Sequence, residues 1–158
     1  MPEILNYTTT IAAEKTLAEI HNMLVQAGAR QVSVDYDALR QPTAVSFVIV
    51  LPFGEASYWL PANRDAVLAL LERQCNQGQV RRALVTPGQA SRVGWRIIKD
   101  WLEAQLAIIE AGLVTLEQVM LPYAIVDQAD GRKWTFYDAW RQHQGRLSKE
   151  AQEKSAAE

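Results

Sequence analysis

The chain has 158 residues, 49% of them hydrophobic and 22% charged, with a formal net charge of −2 and one cysteine, Cys75. That length fits one domain able to remove roughly 70% of its unfolded surface from water without staples. The lone cysteine excludes an internal disulfide, and the acidic balance excludes the basic body of a sequence-blind DNA binder, so any nucleic-acid site must be a local patch. Residues 1–6 show neither the basic start nor the apolar run of a secretory signal, and no apolar stretch reaches the roughly 18–20 residues of a membrane span. A cytoplasmic protein with no membrane partner is expected.

Ala13, Leu17, Ile20, Leu24 and Ala27 recur at intervals of three and four, which predicts a helix over about 12–27 ended by Gly28. Val32, Val34 and Tyr36 then alternate with Ser33, Asp35 and Asp37, the period of a half-buried strand. The β-branched run 43–51 predicts a central strand with Val45, Phe47, Ile49 and Leu51 on its better-buried face. Turn chemistry at Pro52-Phe53-Gly54 and alternation over 55–60 make a hairpin, and connections this short require an antiparallel sheet.

Asn63 is a natural cap for a second helix ending near Gly78. Thr86, Pro87 and Gln89 carry the signature of a helix start with a capping box. From there Ala90, Gly94, Ile97, Trp101, Ala104 and Ile108 keep helical spacing until Gly112, which predicts the longest element. Thr115 and Gln118 suggest a further capping box on a short helix stopped before Pro122. A short extended piece over 123–126, a turn at Asp130-Gly131 and a last helix over about 136–143 follow, and the charged stretch 146–158 reads as a solvated, flexible tail, with a frayed helix as the alternative. The expected architecture is α+β: one domain over 1–145 with an N-terminal helix, a three-stranded antiparallel sheet and a helical C-terminal half.

The most distinctive chemistry is a local positive stripe. Between positions 81 and 102 stand five cations, Arg81, Arg82, Arg92, Arg96 and Lys99, and one acid, Asp100. Guanidinium groups on one helix face can pair with phosphates, and Trp95 beside them could stack on an unpaired base. The competing reading pairs Arg96 with Asp100 and Lys99 with Glu103, leaving a solvated face. Trp59 alternates with Tyr58 and Leu60 and should point to the sheet's other face, where it could serve a protein partner or a second copy. Trp134, Trp140, Tyr123 and Tyr137 fall on strand, loop or final-helix segments, where exposure would also give a partner surface.

Catalytic and metal signals are weak. His21 and His143 lie far apart with no ligand-spaced neighbour, and Cys75 has no histidine in register. Asp35 and Asp37 sit two apart on a strand, one geometry for a divalent ion, yet solvent-facing strand residues look the same. Glu103 and Glu110 share a helix face with no group that would make either a general acid or base. No catalytic residue, metal or cofactor is expected.

The stretch 91–105, SRVGWRIIKDWLEAQ, with Leu121-Pro122-Tyr123 after it and Leu60-Pro61-Ala62-Asn63 before it, resembles a family of short conserved proteins of unknown function encoded in bacteriophages and prophage-like regions. The resemblance covers 7–137 and implies a setting, a mobile-element protein in a bacterial cytoplasm, with no activity attached. The expected function is a nonenzymatic nucleic-acid-associated module contacting DNA or RNA through the basic helix face. The alternative is an interaction or self-assembling module that binds itself or a host or phage protein around Trp59.

Overall fold

The computed structural model describes residues 2–156. Helix α1 (Ala13–Gln26) leads into strands β1 (Ala29–Tyr36), β2 (Pro42–Leu51) and β3 (Gly54–Pro61), followed by α2 (Arg64–Asn76), the long α3 (Pro87–Glu110), the short α4 (Leu116–Met120), strands β4 (Ile125–Ala129) and β5 (Arg132–Thr135), and α5 (Phe136–Ala156). The architecture is α+β, as the sequence predicts.

The first three strands form an antiparallel sheet in the order β1-β2-β3. Its apolar face carries Val45, Phe47 and Ile49 of β2 beside Tyr58 and Leu60 of β3, with Phe47 and Tyr58 paired in register and stacked 5.2 Å apart. Leu17, Ile20 and Leu24 of α1, Trp95 and Leu102 of α3 and Met120 of α4 close over it. Burying each such side chain stabilises the fold by about 1.5–3 kcal/mol, so this cluster is the main source of stability.

The stripe expected on α3 is met at Ala90 and Gly94, and Trp101 packs partly buried on the core, but the buried surface is wider than that stripe. Gln89, Ala90, Ser91, Val93, Gly94, Trp95 and Leu102 are buried, whereas Ala104 is exposed. The first half of α3 lies against both α1 and α2 and so is covered on more than one side; sequence periodicity assumes a single covered face.

A second, smaller cluster of Leu71, Val80 and Ala90 takes in Ile4 and Tyr7 from the start of the chain. Two buried glutamines fasten that segment. Gln74 Oε1 accepts from the Ile4 N–H at 3.0 Å while its Nε2 donates to the Pro2 carbonyl at 3.0 Å. Gln89 Nε2 donates to the carbonyls of Tyr7 (2.8 Å) and Thr9 (3.0 Å). Thr86 does cap α3, accepting from the Gln89 N–H at 3.1 Å, but the Gln89 side chain spans to the N-terminal segment instead of closing the expected capping box. Thr115 and Gln118 do form one.

The opposite face of the sheet is polar. The register sets Ser33 against Ser46 and Ser46 against Trp59, with Asp35 opposite Ala44 and Ser57 opposite Val48. Strands β4 and β5 form a separate antiparallel hairpin around Asp130 and Gly131, both at positive φ, the geometry a two-residue hairpin loop requires. The hairpin is joined to β3 by a bridge between Ala124 and Tyr58. From there it reaches over the polar face, where Lys133 Nζ lies 2.6 Å from Asp35 Oδ2 and 3.1 Å from Ser46 Oγ. Strand β5 was not expected from the sequence.

Helix α5 is capped reciprocally: Asp138 Oδ2 accepts from the Thr135 N–H and hydroxyl, and Thr135 Oγ1 accepts from the Asp138 N–H. It runs on to Ala156, well past the expected end near 143, so the stretch 146–156 takes the helical alternative, with its described side chains solvated as expected. Positions 157 and 158 lie outside the described residues.

Candidate nucleic-acid interface

The basic stripe of α3 is largely neutralised from within. Arg96 Nη1 donates to Glu19 Oε2 of α1 at 2.7 Å with its side chain only 14% exposed; its partner is Glu19 and not the expected Asp100. Lys99, 15% exposed, is bound to Glu103 at 2.5 Å with Asp100 at 3.7 Å. The hydrogen bond to Glu103 pushes the Lys99 ammonium above the ordinary lysine range, burial working against it and the Glu103 and Asp100 charges adding to it. Asp100 also accepts from Asn6 Nδ2 at 2.8 Å. Arg92 gives its Nε (3.1 Å) and Nη2 (2.7 Å) to Gln89 Oε1.

Trp95 corrects the expectation most sharply. Its side chain is 0% exposed in the main core, so it has no face to offer a base. Only Arg81 and Arg82, on the 3-10 turn before α3, stand exposed as the stripe requires. Two arginines side by side on a turn fall short of a surface that tracks a phosphate backbone.

The structure assembles another constellation. An open cleft of about 910 Å³ lies between β1, the polar face and the β4-β5 hairpin, lined by Val34, Asp35, Tyr36, Trp59, Gly131, Arg132, Lys133, Trp134 and Asp138. Alternation along β1 and β3 places Asp35 and Trp59 on the polar face, and Trp59 is held there by its Nε1–H donating to Asp35 Oδ2 at 3.1 Å. The same Asp35 carboxylate receives Lys133, so one acid fixes both an aromatic wall and the hairpin that forms the opposite wall. Tyr36, 61% exposed, stands at the end of β1. Arg132 is exposed beside the hairpin's turn.

Trp59 is therefore on the second face, as its alternation predicts, but that face is no open docking platform. A pocket of about 230 Å³ lined by Gln31, Ser33, Ser46, Ser57, Ile125, Gln128 and Lys133, among others, shows that hairpin residues lie across it.

The charges lining the cleft balance, Arg132 and Lys133 against Asp35 and Asp138, and the excess of cations lies in the segment that continues from it. Residues 132–149 hold five cations, Arg132, Lys133, Arg141, Arg146 and Lys149, and one acid, Asp138, a net +4; residues 1–131 hold ten cations and fourteen acids, a net −4. Phe136, Tyr137 and Trp140 of α5 are exposed in the same segment. The sequence signal that could have located this site is the pairing of exposed-type aromatics with cations after Asp130-Gly131, which is itself the strongest short hairpin signal.

The other candidates separate. Asp37 does not share a site with Asp35: its Oδ1 accepts from the N–H groups of Leu39 and Gln41 in the β1-β2 turn, and its Oδ2 receives Arg64. Cys75 packs at the edge of the smaller cluster, and His21 is exposed on α1. Among the described residues no group of three or more His, Cys, Asp or Glu is placed to hold a metal ion, and no helix is long and apolar enough to cross a membrane. No family model, curated protein or solved structure matches the chain, and its function has to be read from its own geometry.

Proposed function

We propose that the protein is a nonenzymatic accessory module, in the phage or mobile-element setting its sequence suggests, that binds single-stranded nucleic acid in the cleft between β1 and the β4-β5 hairpin. The observation that carries this reading is the convergence of Tyr36, Trp59 and Trp134 with Arg132 and Lys133 in one open cleft on an otherwise acidic body. Aromatic faces accept unpaired bases whatever their sequence, and neighbouring cations follow the backbone. Arg132 is the phosphate contact, because Lys133 is already bound to Asp35. Duplex bases present no free face to stack, so a single strand is preferred.

The test is fluorescence anisotropy with a labelled oligothymidylate and a duplex of equal length, at low and physiological salt. Single-strand binding that weakens with salt is expected. Tyr36→Ala and Trp134→Ala should each weaken it by roughly 5- to 150-fold, since stacking on an aromatic is worth about 1–3 kcal/mol per base. Arg132→Ala should reduce the slope of log affinity against log salt by about one, while Arg81→Ala/Arg82→Ala should bind as wild type. Absence of binding at low salt, or unchanged binding by the Tyr36 and Arg132 variants, overturns the reading. Loss of binding in the Arg81/Arg82 variant alone would return the interface to the turn before α3.

A further inference from the structure

A second pocket shares Trp59 and Asp138 with the cleft but is otherwise lined differently. About 340 Å³ in volume, it is walled by Trp59 and Pro61 at the end of β3, Pro122 and Tyr123 of the 3-10 turn over 121–123, and Tyr137 and Asp138 of the first turn of α5. Segments far apart in sequence thus bring three aromatic side chains and one carboxylate to a single volume.

Each wall is fastened. The Trp59 indole is held by its Nε1–H bond to Asp35. Tyr123 meets Trp101 edge to face with ring centroids 5.5 Å apart, and Tyr137 leans on Trp140 at 6.2 Å. The bridge between Tyr58 and Ala124 ties β3 to the turn, and the Phe136 N–H donates to the Ala124 carbonyl at 2.8 Å, which ties the turn to α5. Pro61 and Pro122 restrict the backbone of two walls. Side chains already ordered cost an incoming ligand little conformational freedom.

Among the described residues Asp138 is the only charged group lining this pocket. Its Oδ2 accepts from the Thr135 N–H and hydroxyl, and no lysine or arginine forms an ion pair with it among the described residues, Lys133 being held by Asp35. The faces of Trp and Tyr rings are negative as well, so the pocket favours a cation. A primary ammonium or a guanidinium carries several N–H donors that need acceptors, and burying them against rings and prolines leaves most unsatisfied. A fully methylated ammonium has no donor to satisfy, and its charge is attracted to aromatic faces.

We infer that this pocket binds a quaternary ammonium group, its methyls against Trp59, Tyr123 and Tyr137 and its charge beside Asp138. A small free cation such as choline and a trimethyllysine side chain share that chemistry. The inference does not rest on the nucleic-acid reading: Tyr123 and Tyr137 do not line the cleft, and Tyr36 and Arg132 do not line the pocket.

Isothermal titration calorimetry with choline, with its uncharged carbon isostere dimethylbutanol and with a short peptide carrying trimethyllysine tests it. Choline should bind, and the isostere, equal in shape, should bind roughly tenfold more weakly or worse, because it lacks the charge that the rings attract. Tyr137→Leu, at a side chain 49% exposed, and Asp138→Asn, which keeps an acceptor for Thr135, should each weaken choline binding by roughly 3- to 30-fold. The urea midpoint of Tyr137→Leu should stay at the wild-type value. Tyr137→Leu should also bind oligothymidylate as wild type, and Tyr36→Ala should bind choline as wild type, so the failure of one reading is distinguishable from failure of the other. Tighter binding of the peptide than of choline supports the inference with a modified protein as the source; choline binding at least as tightly supports it with a free cation. Dimethylbutanol binding as tightly as choline, no binding of choline or the peptide at millimolar concentration, or wild-type choline binding by Tyr137→Leu overturns it.

Discussion

Trp95 occupies the core at 0% exposure with no hydrogen-bond partner for its Nε1–H among the described residues. A buried unsatisfied donor costs about 1–3 kcal/mol, which offsets part of what the indole gains by packing. Trp95→Phe should therefore destabilise by less than the ~3–5 kcal/mol typical of truncating a buried tryptophan to alanine, and leave nucleic-acid binding unchanged; urea melts and the anisotropy assay check the two halves. Asp37 shows the opposite economy, a surface carboxylate fully employed. The Gln41 N–H holds it below the ordinary aspartate range, with the Leu39 N–H and Arg64 adding to the effect and desolvation opposing it. A depressed folded value means that the unfolded chain binds the proton more tightly. Its stabilisation is thus complete above the unfolded value near ~4 and is lost as pH falls through the lower folded one. Asp37→Asn should lower the urea midpoint at neutral pH, and the gap from wild type should close in acid; a gap constant from pH ~7 to ~3 would show that the charge contributes nothing.

Among the elements, α3 carries a glycine in its interior with room for a methyl group. A Cβ on Gly94 would meet Val67 Cγ2 at 3.6 Å, ordinary van der Waals contact, so Gly94→Ala should stabilise the protein by roughly 0.5–1 kcal/mol through helix propensity. A fall in the urea midpoint would mean that α2 and α3 cannot yield even that far. The β4-β5 hairpin is a lightly fastened element, held over a polar surface by Lys133. Lys133→Ala should raise amide hydrogen exchange across 125–135 while leaving β2 protected, because local openings draw on the contacts of the opening unit alone. These elements also mark what was legible in the sequence. Caps at Asn63, Thr86 and Thr115, and the alternation of Tyr58, Trp59 and Leu60, are local signals that the fold obeys. The Arg96–Glu19 pair joins residues 77 positions apart, a proximity no local pattern encodes. Strand β5 hid because it has four residues and β4 breaks register between Ile125 and Asp127, leaving too short an alternation to stand out. The length of α5 hid because a solvated helix shows no dense apolar period.

For the whole molecule, residues 1–131 carry a net −4, residues 132–149 a net +4 and residues 150–158 a net −2, so ionic strength is a direct control on the proposed nucleic-acid contact. The sequence located positive charge on α3, but the folded chain consumes much of it internally and presents the cations after the hairpin. Local spacing counts charges; only the tertiary arrangement decides which of them are already paired.

The two glutamine clamps set a limit on how far this protein can be trimmed. Residues 2–9 supply carbonyl and amide groups to Gln74 and Gln89, each only 3% exposed, so a shortened chain would lose the contacts of Ile4 and Tyr7 and also strand two carboxamides in the interior. Replacing both glutamines by leucine in the shortened chain should recover part of the lost stability, whereas the same pair of changes in the full chain should cost it. The opening segment thus behaves as a sealing strip whose removal is felt through the polar groups it leaves behind.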